Sequence, residues 1–126
     1  MYALSMENEK LKMKIEDIAD KQLLAYNTKD LEAFCNCYHP EIRLLVDGDE
    51  KMAGMENFRG HYARVFQSSP NLNAVIKERM VMNNHVIDIE TISGKSGQVG
   101  SQKLTAKYSF IDGLISKVEF FMPVED

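Results

Sequence analysis

Apolar side chains recur at helical spacing in the first part of the chain. Between about Glu7 and Tyr26 they return every three or four positions, as in an amphipathic helix. A second, short helix is predicted between Asp30, a candidate N-cap residue, and Pro40, because the residue before a proline is pushed towards an extended conformation. The same spacing predicts a third helix over about residues 55–67.

Beyond residue 72 the pattern changes to the alternation of apolar and polar residues that is typical of strands. Asparagine, glycine and serine residues separate these runs, and such residues favour turns. Helices followed by an antiparallel meander indicate an α+β domain. The predicted strands cover about residues 42–46, 51–53, 72–82, 85–92, 103–110 and 114–121.

The long hairpin around residues 83–84 has a register that can be predicted from charge. A turn at these two asparagines places Arg79 opposite Asp88 and Lys77 opposite Glu90. Cross-strand pairs of opposite charge stabilise a sheet, so two such pairs on one face support this register. We therefore expect the charged face to be the more solvated one.

The opposite face of the hairpin is predicted to belong to the core, with Glu78 as its one acidic member. On the solvated face, valine and isoleucine residues lie among the paired charges, and this mixture suits the interface of a homodimer. The core-facing residues are Ile76, Met80, Met82, Ile87, Ile89 and Thr91, continued on the next strand by Leu104, Ala106, Tyr108 and Phe110. The outer apolar residues are Val75, Val81, Val86 and Ile92.

Composition and charge narrow the possible partners and location. The 126 residues, 44% of them hydrophobic, suffice for one domain over residues 1–126, with residues 1–8 loosely ordered. A net charge of −4 without a basic block gives no reason to expect a nucleic-acid partner. No run approaches the roughly 18 apolar residues of a membrane span. The N-terminus lacks the basic stretch followed by an apolar stretch that marks a secretory signal. We therefore expect a cytoplasmic protein without a membrane partner.

Cysteine and histidine spacing gives no sign of a metal site. Cys35 and Cys37 are two positions apart in a predicted helix and would point to nearly opposite sides, which suits neither a disulfide nor a shared metal. The three histidines, His39, His61 and His85, are far apart in sequence. We expect two reduced, partly buried thiols, no metal and no other cofactor.

Several segments, in this order and spacing, resemble one known superfamily. It includes nuclear transport factor 2, the ketosteroid isomerases, the SnoaL-like polyketide cyclases and many bacterial relatives. The resemblance implies a cone in which three N-terminal helices are packed in a strongly curved, mostly antiparallel sheet around a deep pocket. It also implies a homodimer. The matching segments are residues 24–31, residues 38–41, Ala53-Gly54 leading to Phe58 and Tyr62, and the strand pair joined by Asp112-Gly113.

The catalytic residues of the ketosteroid isomerases are missing from the matching positions. That reaction uses a carboxylate base together with a tyrosine and a protonated aspartate that stabilise an oxyanion. The tyrosine position is Gln22 here, and the aspartate position is Ala106. The base falls on Val46, or on Leu45 if the alignment gap is placed earlier. We therefore predict that this chain does not isomerise ketosteroids by that mechanism.

Two titratable residues are candidates for catalysis. Glu78 on the predicted apolar face is either a general base with raised proton affinity or a solvated group near a strand end. His61 on the third helix is either a second titrating group in the pocket or a surface histidine. Tyrosines and methionines suit an adaptable apolar wall. The predicted ligand-binding residues are Tyr26, Tyr62, Met80, Ile87, Ile89, Ala106, Tyr108 and Phe120.

Two classes of function remain open. The first is an isomerase- or lyase-like enzyme that transfers a proton on a small apolar molecule bearing a carbonyl group. The second is a non-catalytic member of the same fold that sequesters a ligand or assembles with proteins. An enzyme of the first class needs a titratable group inside the pocket, so the direction in which Glu78 points distinguishes them.

Overall fold

A computed structural model describes residues 2–123 and confirms the α+β class. Three helices and six strands follow one another in the predicted order. Helix α1 begins before Glu7, where the apolar spacing begins, and Met1 lies outside the described residues. The helices are α1 (Tyr2–Thr28), α2 (Leu31–Cys35) and α3 (Met55–Ser68). The strands are β1 (Tyr38–Val46), β2 (Asp49–Ala53), β3 (Asn73–Met82), β4 (His85–Ser93), β5 (Gln102–Ile111) and β6 (Leu114–Phe121).

Helix α2 begins where predicted and ends earlier than predicted. The Asp30 side chain accepts a hydrogen bond from the Ala33 backbone N–H at 3.1 Å, as an N-cap residue should. The helix ends at Cys35, and a turn over residues 36–37 leads into β1; in this turn the Cys37 carbonyl accepts the Ile115 N–H at 2.9 Å. Pro40 lies within β1, in the irregular stretch of its pairing with β6, where a missing donor is tolerated.

The sheet is curved, does not close into a barrel, and has the strand order β2-β1-β6-β5-β4-β3. All neighbouring pairs are antiparallel except β1 and β6, which confirms a mostly antiparallel sheet. Helix α1 packs on β3 and β4, while α3 packs on β1 and β2. Both helices therefore cover the inner face of the sheet, and a cavity lies between helices and sheet.

The long hairpin has the predicted turn but only part of the predicted register. Arg79 lies opposite Asp88 as expected. The predicted pair of Lys77 and Glu90 is wrong, because the register shifts at Lys77 and Glu90 lies opposite Ile76 instead. Lys77 is the extra residue of a β-bulge, and a bulge changes which face the following residues occupy.

The assignment of faces on β3 and β4 was also wrong. Asp88 is opposite Ala106 on β5, so the charged side of β4 shares the inner face with the buried residues of β5. Met80 is 56% exposed, and Ile87 and Ile89 lie with it on the outer face. The predicted faces failed because the pair of Arg79 and Asp88 is buried rather than solvated, and because the long loop between β4 and β5 gives no signal for the register of these two strands.

The predicted outer apolar residues are divided between the two faces. Val86 and Ile92 are buried in the core, which corrects the prediction that they lie outside. Val75 is 46% exposed and Met82 is also 46% exposed. The outer face therefore has an apolar character, but it comes from methionine and isoleucine residues rather than from Val86 and Ile92.

Aromatic rings form the centre of the core between the helices and the sheet. The rings of Phe34 and Phe58 are almost parallel, with centroids 5.8 Å apart, and both side chains are fully buried. The ring centroid of Tyr62 lies 4.7 Å from that of Phe34, so Tyr62 continues this cluster towards the cavity. Large rings bury much apolar surface, so the cluster fixes α2 and α3 beneath the cavity. No helix within residues 2–123 is long and apolar enough to cross a bilayer.

Candidate ligand pocket

A cavity of about 280 Å³ lies between α1, α3 and the inner face of the sheet. Its wall is a mixture of apolar, aromatic and polar side chains. The apolar and aromatic members are Leu23, Tyr26, Tyr38, Val46, Tyr62, Val65, Ala74, Ile92, Leu104, Tyr108, Phe120 and Met122. The polar members are Gln22, His61, Glu90, Lys95, Gln98 and Gln102.

Glu90 is the acidic residue of this wall. It lies on β4 between Ile76 of β3 and Leu104 of β5, and it is 5% exposed. The pKa of its carboxyl is raised from 4.5 to about 7, chiefly by burial and further by the charge of Asp88, against a lowering by Arg79. No ion pair joins Glu90 to another residue of the described chain. A buried carboxyl with a pKa near neutral pH can both accept and donate a proton.

Asp88 lies two positions before Glu90 and has a partner that Glu90 lacks. Arg79 Nε donates to Asp88 Oδ1 at 2.7 Å and Nη2 donates to Oδ2 at 3.1 Å, a bidentate pair. Arg79 Nη1 also donates to Asp20 of α1 at 2.5 Å. One guanidinium therefore compensates Asp88, which is only 2% exposed, and ties the sheet to α1. Glu90 is left as the carboxyl that takes up a proton.

Several tyrosines share the cavity wall with Glu90. Burial is the main cause that raises the pKa of Tyr26, Tyr62 and Tyr108, and the charge of Glu90 raises each of them further. These phenols are therefore neutral near pH 7 and can donate a hydrogen bond into the cavity. Burial raises the pKa of Tyr38 as well, and the Gln22 side chain, which lines the same cavity, opposes this rise. The wall thus combines the Glu90 carboxyl with several neutral hydrogen-bond donors.

The rim of the cavity is basic. His61 lies on α3, and Lys95 lies in the loop between β4 and β5. Burial lowers the pKa of His61, and the positive charges of Lys95 and Arg64 lower it further. The imidazole is therefore neutral near pH 7, and the positively charged residue of the cavity lining within residues 2–123 is Lys95.

Five of the residues predicted for the site lie in the cavity wall. They are Tyr26, His61, Tyr62, Tyr108 and Phe120. Ala106 is fully buried opposite Asp88 and does not reach the cavity. Gln22 and Val46, which occupy two positions of the isomerase catalytic set according to the resemblance, line the cavity as well.

Four predicted site residues lie elsewhere. Glu78 is exposed on the outer face opposite Ile89, so the prediction that it points into the pocket is wrong. The bulge at Lys77 and the reversed faces account for its position. Met80, Ile87 and Ile89 occupy the same outer face and are likewise outside the cavity wall.

The sequence prediction missed Glu90 and Lys95. Glu90 was expected to form a solvated pair with Lys77, and Lys95 belongs to a glycine- and serine-rich stretch without periodicity. One signal pointed to Glu90. Alternation along β4 puts Asp88 and Glu90 on the same face of the strand, and the residues that flank them on that face, Val86 and Ile92, are apolar. Within residues 2–123, no cluster of three or more histidine, cysteine or acidic side chains could hold a metal ion.

Comparison with known families identifies the family of this chain. A family model described as the SnoaL-like domain matches residues 19–118. The chain belongs to the SnoaL-like family. The match runs from α1 to β6 and therefore includes the whole cavity wall on β3, β4 and β5. Among proteins of curated function, none matches this SnoaL-like chain significantly.

Solved structures share the fold of this SnoaL-like domain. An uncharacterised cystatin-fold protein from Novosphingobium aromaticivorans is 26% identical, with a TM-score of 0.76 over 85% of this chain and 96% of its own. A protein of unknown function with a cystatin-like fold from Methylobium petroleophilum is 13% identical, with a TM-score of 0.77 over 91% and 79%. A protein from Jannaschia, provisionally assigned as a SnoaL-like polyketide cyclase, is 16% identical, with a TM-score of 0.74 over 86% and 85%.

Proposed function

We propose that this chain binds a small, largely apolar molecule with a carbonyl group and transfers a proton on it, with Glu90 as the acid–base group. The observation that carries the proposal is the position of Glu90, a buried carboxyl without a salt-bridge partner within residues 2–123, in the wall of the cavity. A general base works best when its pKa is near the working pH, and the pKa of Glu90 is about 7.

The proposed step uses only groups of the wall. The Glu90 carboxylate takes a proton from the carbon next to the carbonyl group, so that a C–H bond breaks and an O–H bond forms. The electron pair moves to the carbonyl oxygen, and a neutral tyrosine hydroxyl such as that of Tyr62 or Tyr108 stabilises this enolate by a hydrogen bond. Glu90 then returns the proton to the same carbon or to a conjugated one, which exchanges or isomerises the molecule.

This arrangement differs from the catalytic residues of the ketosteroid isomerases. There the base would occupy the position of Val46, at the end of β1. Here the carboxyl comes from β4, and the cavity brings it near the tyrosines of α1, α3 and β5. The same pocket thus supports proton transfer with a base in a different place.

Hydrogen–deuterium exchange tests the proposal without knowledge of the natural substrate. The α-protons of 2-tetralone are followed by proton NMR in D2O near neutral pH, with and without protein. We expect the protein to accelerate exchange and Glu90→Gln to lose about 10²–10⁴-fold of that acceleration, the usual contribution of an acid–base group. Glu78→Gln, which removes a carboxylate from the outer face, is the matched control and should exchange at the wild-type rate.

Two results would contradict this proposal. If Glu90→Gln exchanges the protons at the wild-type rate, Glu90 does not take part in the reaction. Binding of 2-tetralone, seen by ligand NMR, without any accelerated exchange would favour the sequestering function over the enzyme.

A further inference from the structure

The loop between β4 and β5 is anchored on both sides of Lys95. Gly94 has φ +77° and packs so tightly that a Cβ there would lie 2.0 Å from the Asn71 carbonyl oxygen, so no other residue fits without displacing the loop. The Ser96 N–H donates to Ser69 Oγ at 2.9 Å, and Ser69 is 1% exposed. The backbone of Lys95 is therefore held in place between two fixed neighbours.

A third contact closes the loop around Lys95. Its carbonyl oxygen accepts the Gln98 N–H at 3.1 Å, and both residues line the cavity. Its ammonium group forms no ion pair with any residue between 2 and 123. The anchors keep an uncompensated positive charge at the rim.

The rim and the interior of the cavity have different electrostatic character. Lys95 and Arg64 are close enough to His61 to disfavour its protonation. Glu90 lies among the tyrosines of the wall and takes up a proton near neutral pH, so it repels an anion little in its protonated form. The cavity is thus suited to a molecule with an apolar body and one acidic end.

We infer that the molecule taken up by this cavity carries an anionic group, such as a carboxylate, which the Lys95 ammonium group and the neutral His61 imidazole bind at the rim. The inference rests on the proposed function and specifies its substrate class: an apolar carbonyl compound that is also an acid. Lys95 supplies the charge, and His61 can donate one hydrogen bond from its ring N–H. The apolar body then extends towards Glu90 and the tyrosines.

A pair of compounds of the same shape tests the inference. Binding of 2-naphthoate and of 2-naphthamide is measured by isothermal titration calorimetry at pH 6 and low salt, where Glu90 is mostly protonated. We expect naphthoate to bind at least about tenfold more tightly, as is usual for a charge-assisted hydrogen bond. This preference should shrink at high salt because salt screens exposed charges.

Variants locate the source of the preference. Lys95→Met should reduce naphthoate binding to the level of naphthamide and leave naphthamide unchanged. Lys51→Met, which removes the same charge from an exposed position on β2, is the matched control and should change neither. Glu90→Gln should keep the preference for naphthoate although it loses proton transfer, so the inference and the reaction are tested separately.

Three results would overturn the inference. Equal binding of the two compounds to the wild type would refute the rim site and leave the apolar pocket intact. Equal weakening of both compounds by Lys95→Met would show that Lys95 merely supports the loop. If neither compound binds, the inference is refuted, whereas accelerated exchange of 2-tetralone would still support the proposed function.

Discussion

Asp88 and Glu90 lie two positions apart on the inner face of β4, and the Arg79 guanidinium binds Asp88 and not Glu90. The two neighbouring buried acids therefore differ in their partners, because Asp88 has a guanidinium and Glu90 has no ion-pair partner within residues 2–123. The bidentate pair holds the Asp88 carboxylate against Arg79, and the negative charge of Asp88 makes ionisation of Glu90 less favourable. A structural ion pair thus adjusts the proton affinity of a group in the cavity wall.

The first prediction follows from this relationship. Asp88→Asn removes a negative charge beside Glu90 and frees the positive charge of Arg79, and both effects should lower the pKa of Glu90 from about 7. Carbon-13 NMR titration of the Glu90 carboxyl measures the change. The same variant breaks a buried ion pair, so we also expect a loss of about 3 kcal/mol of unfolding free energy. An unchanged Glu90 titration in folded Asp88→Asn would contradict the coupling.

The second prediction concerns stability and pH. Glu90 has a higher pKa folded, about 7, than its ordinary 4.5, so the native state binds more protons than the unfolded state between these values. Stability therefore falls as pH rises through this window, and the full effect corresponds to about 3 kcal/mol. Glu90→Gln should remove this loss. Compared with the wild type at the same pH, the variant should therefore be more stable at pH 8 than it is at pH 5. Urea unfolding at both pH values measures it.

The control for the stability prediction is Glu78→Gln. Glu78 is exposed on the outer face, so its substitution should leave the difference between pH 5 and pH 8 as in the wild type. If Glu90→Gln and the wild type lose the same stability between these pH values, burial does not raise the pKa of Glu90 as described.

The third prediction is that the chain has no ketosteroid isomerase activity by the known mechanism. Gln22, Val46 and Ala106 stand where the resemblance would require the tyrosine, the base and the acidic oxyanion donor. The absorbance of the conjugated ketone formed from a Δ5-3-ketosteroid is the measurement, and we expect no rate above background. Turnover comparable to that of a true isomerase would refute this mapping of positions.

The fourth prediction is a homodimer formed through the outer face of the sheet. Val75, Met80 and Met82 are each about half exposed there, which is a large apolar surface for the side of a sheet that faces water. Light scattering at tens of micromolar should report twice the chain mass. Met80→Glu should shift the equilibrium towards monomer, whereas Leu24→Glu, on the exposed side of α1, should not. A monomeric wild type would contradict this prediction.

Much of the fold could be predicted from the sequence because its signals are local. The turn at residues 83–84, the N-cap at Asp30 and the bounds of β6 depend on a few neighbouring residues. The pair of Arg79 and Asp88 could also be predicted, because the two strands are joined by a tight turn. These features need no knowledge of what lies on the other side of the sheet.

The faces of β3 and β4 could not be predicted because they depend on distant contacts. Arg79 is buried partly through Asp20, which is 59 residues away on α1, and no local pattern predicts that meeting. Gly94 and Ser96, the neighbours of Lys95, contact Asn71 and Ser69, which are also remote in sequence. The site residues that the prediction missed, Glu90 and Lys95, are those whose position depends on such contacts.

The bulge at Lys77 has a consequence for how relatives of this chain should be compared. Because the bulge adds one residue to β3, a homologue with a regular strand would need a gap there. An alignment without that gap would equate residues on opposite sides of the sheet along one half of the strand. Ancestral substitutions in β3 should therefore be traced by the side of the sheet a residue occupies, since a single codon gained or lost at Lys77 exchanges the two sides.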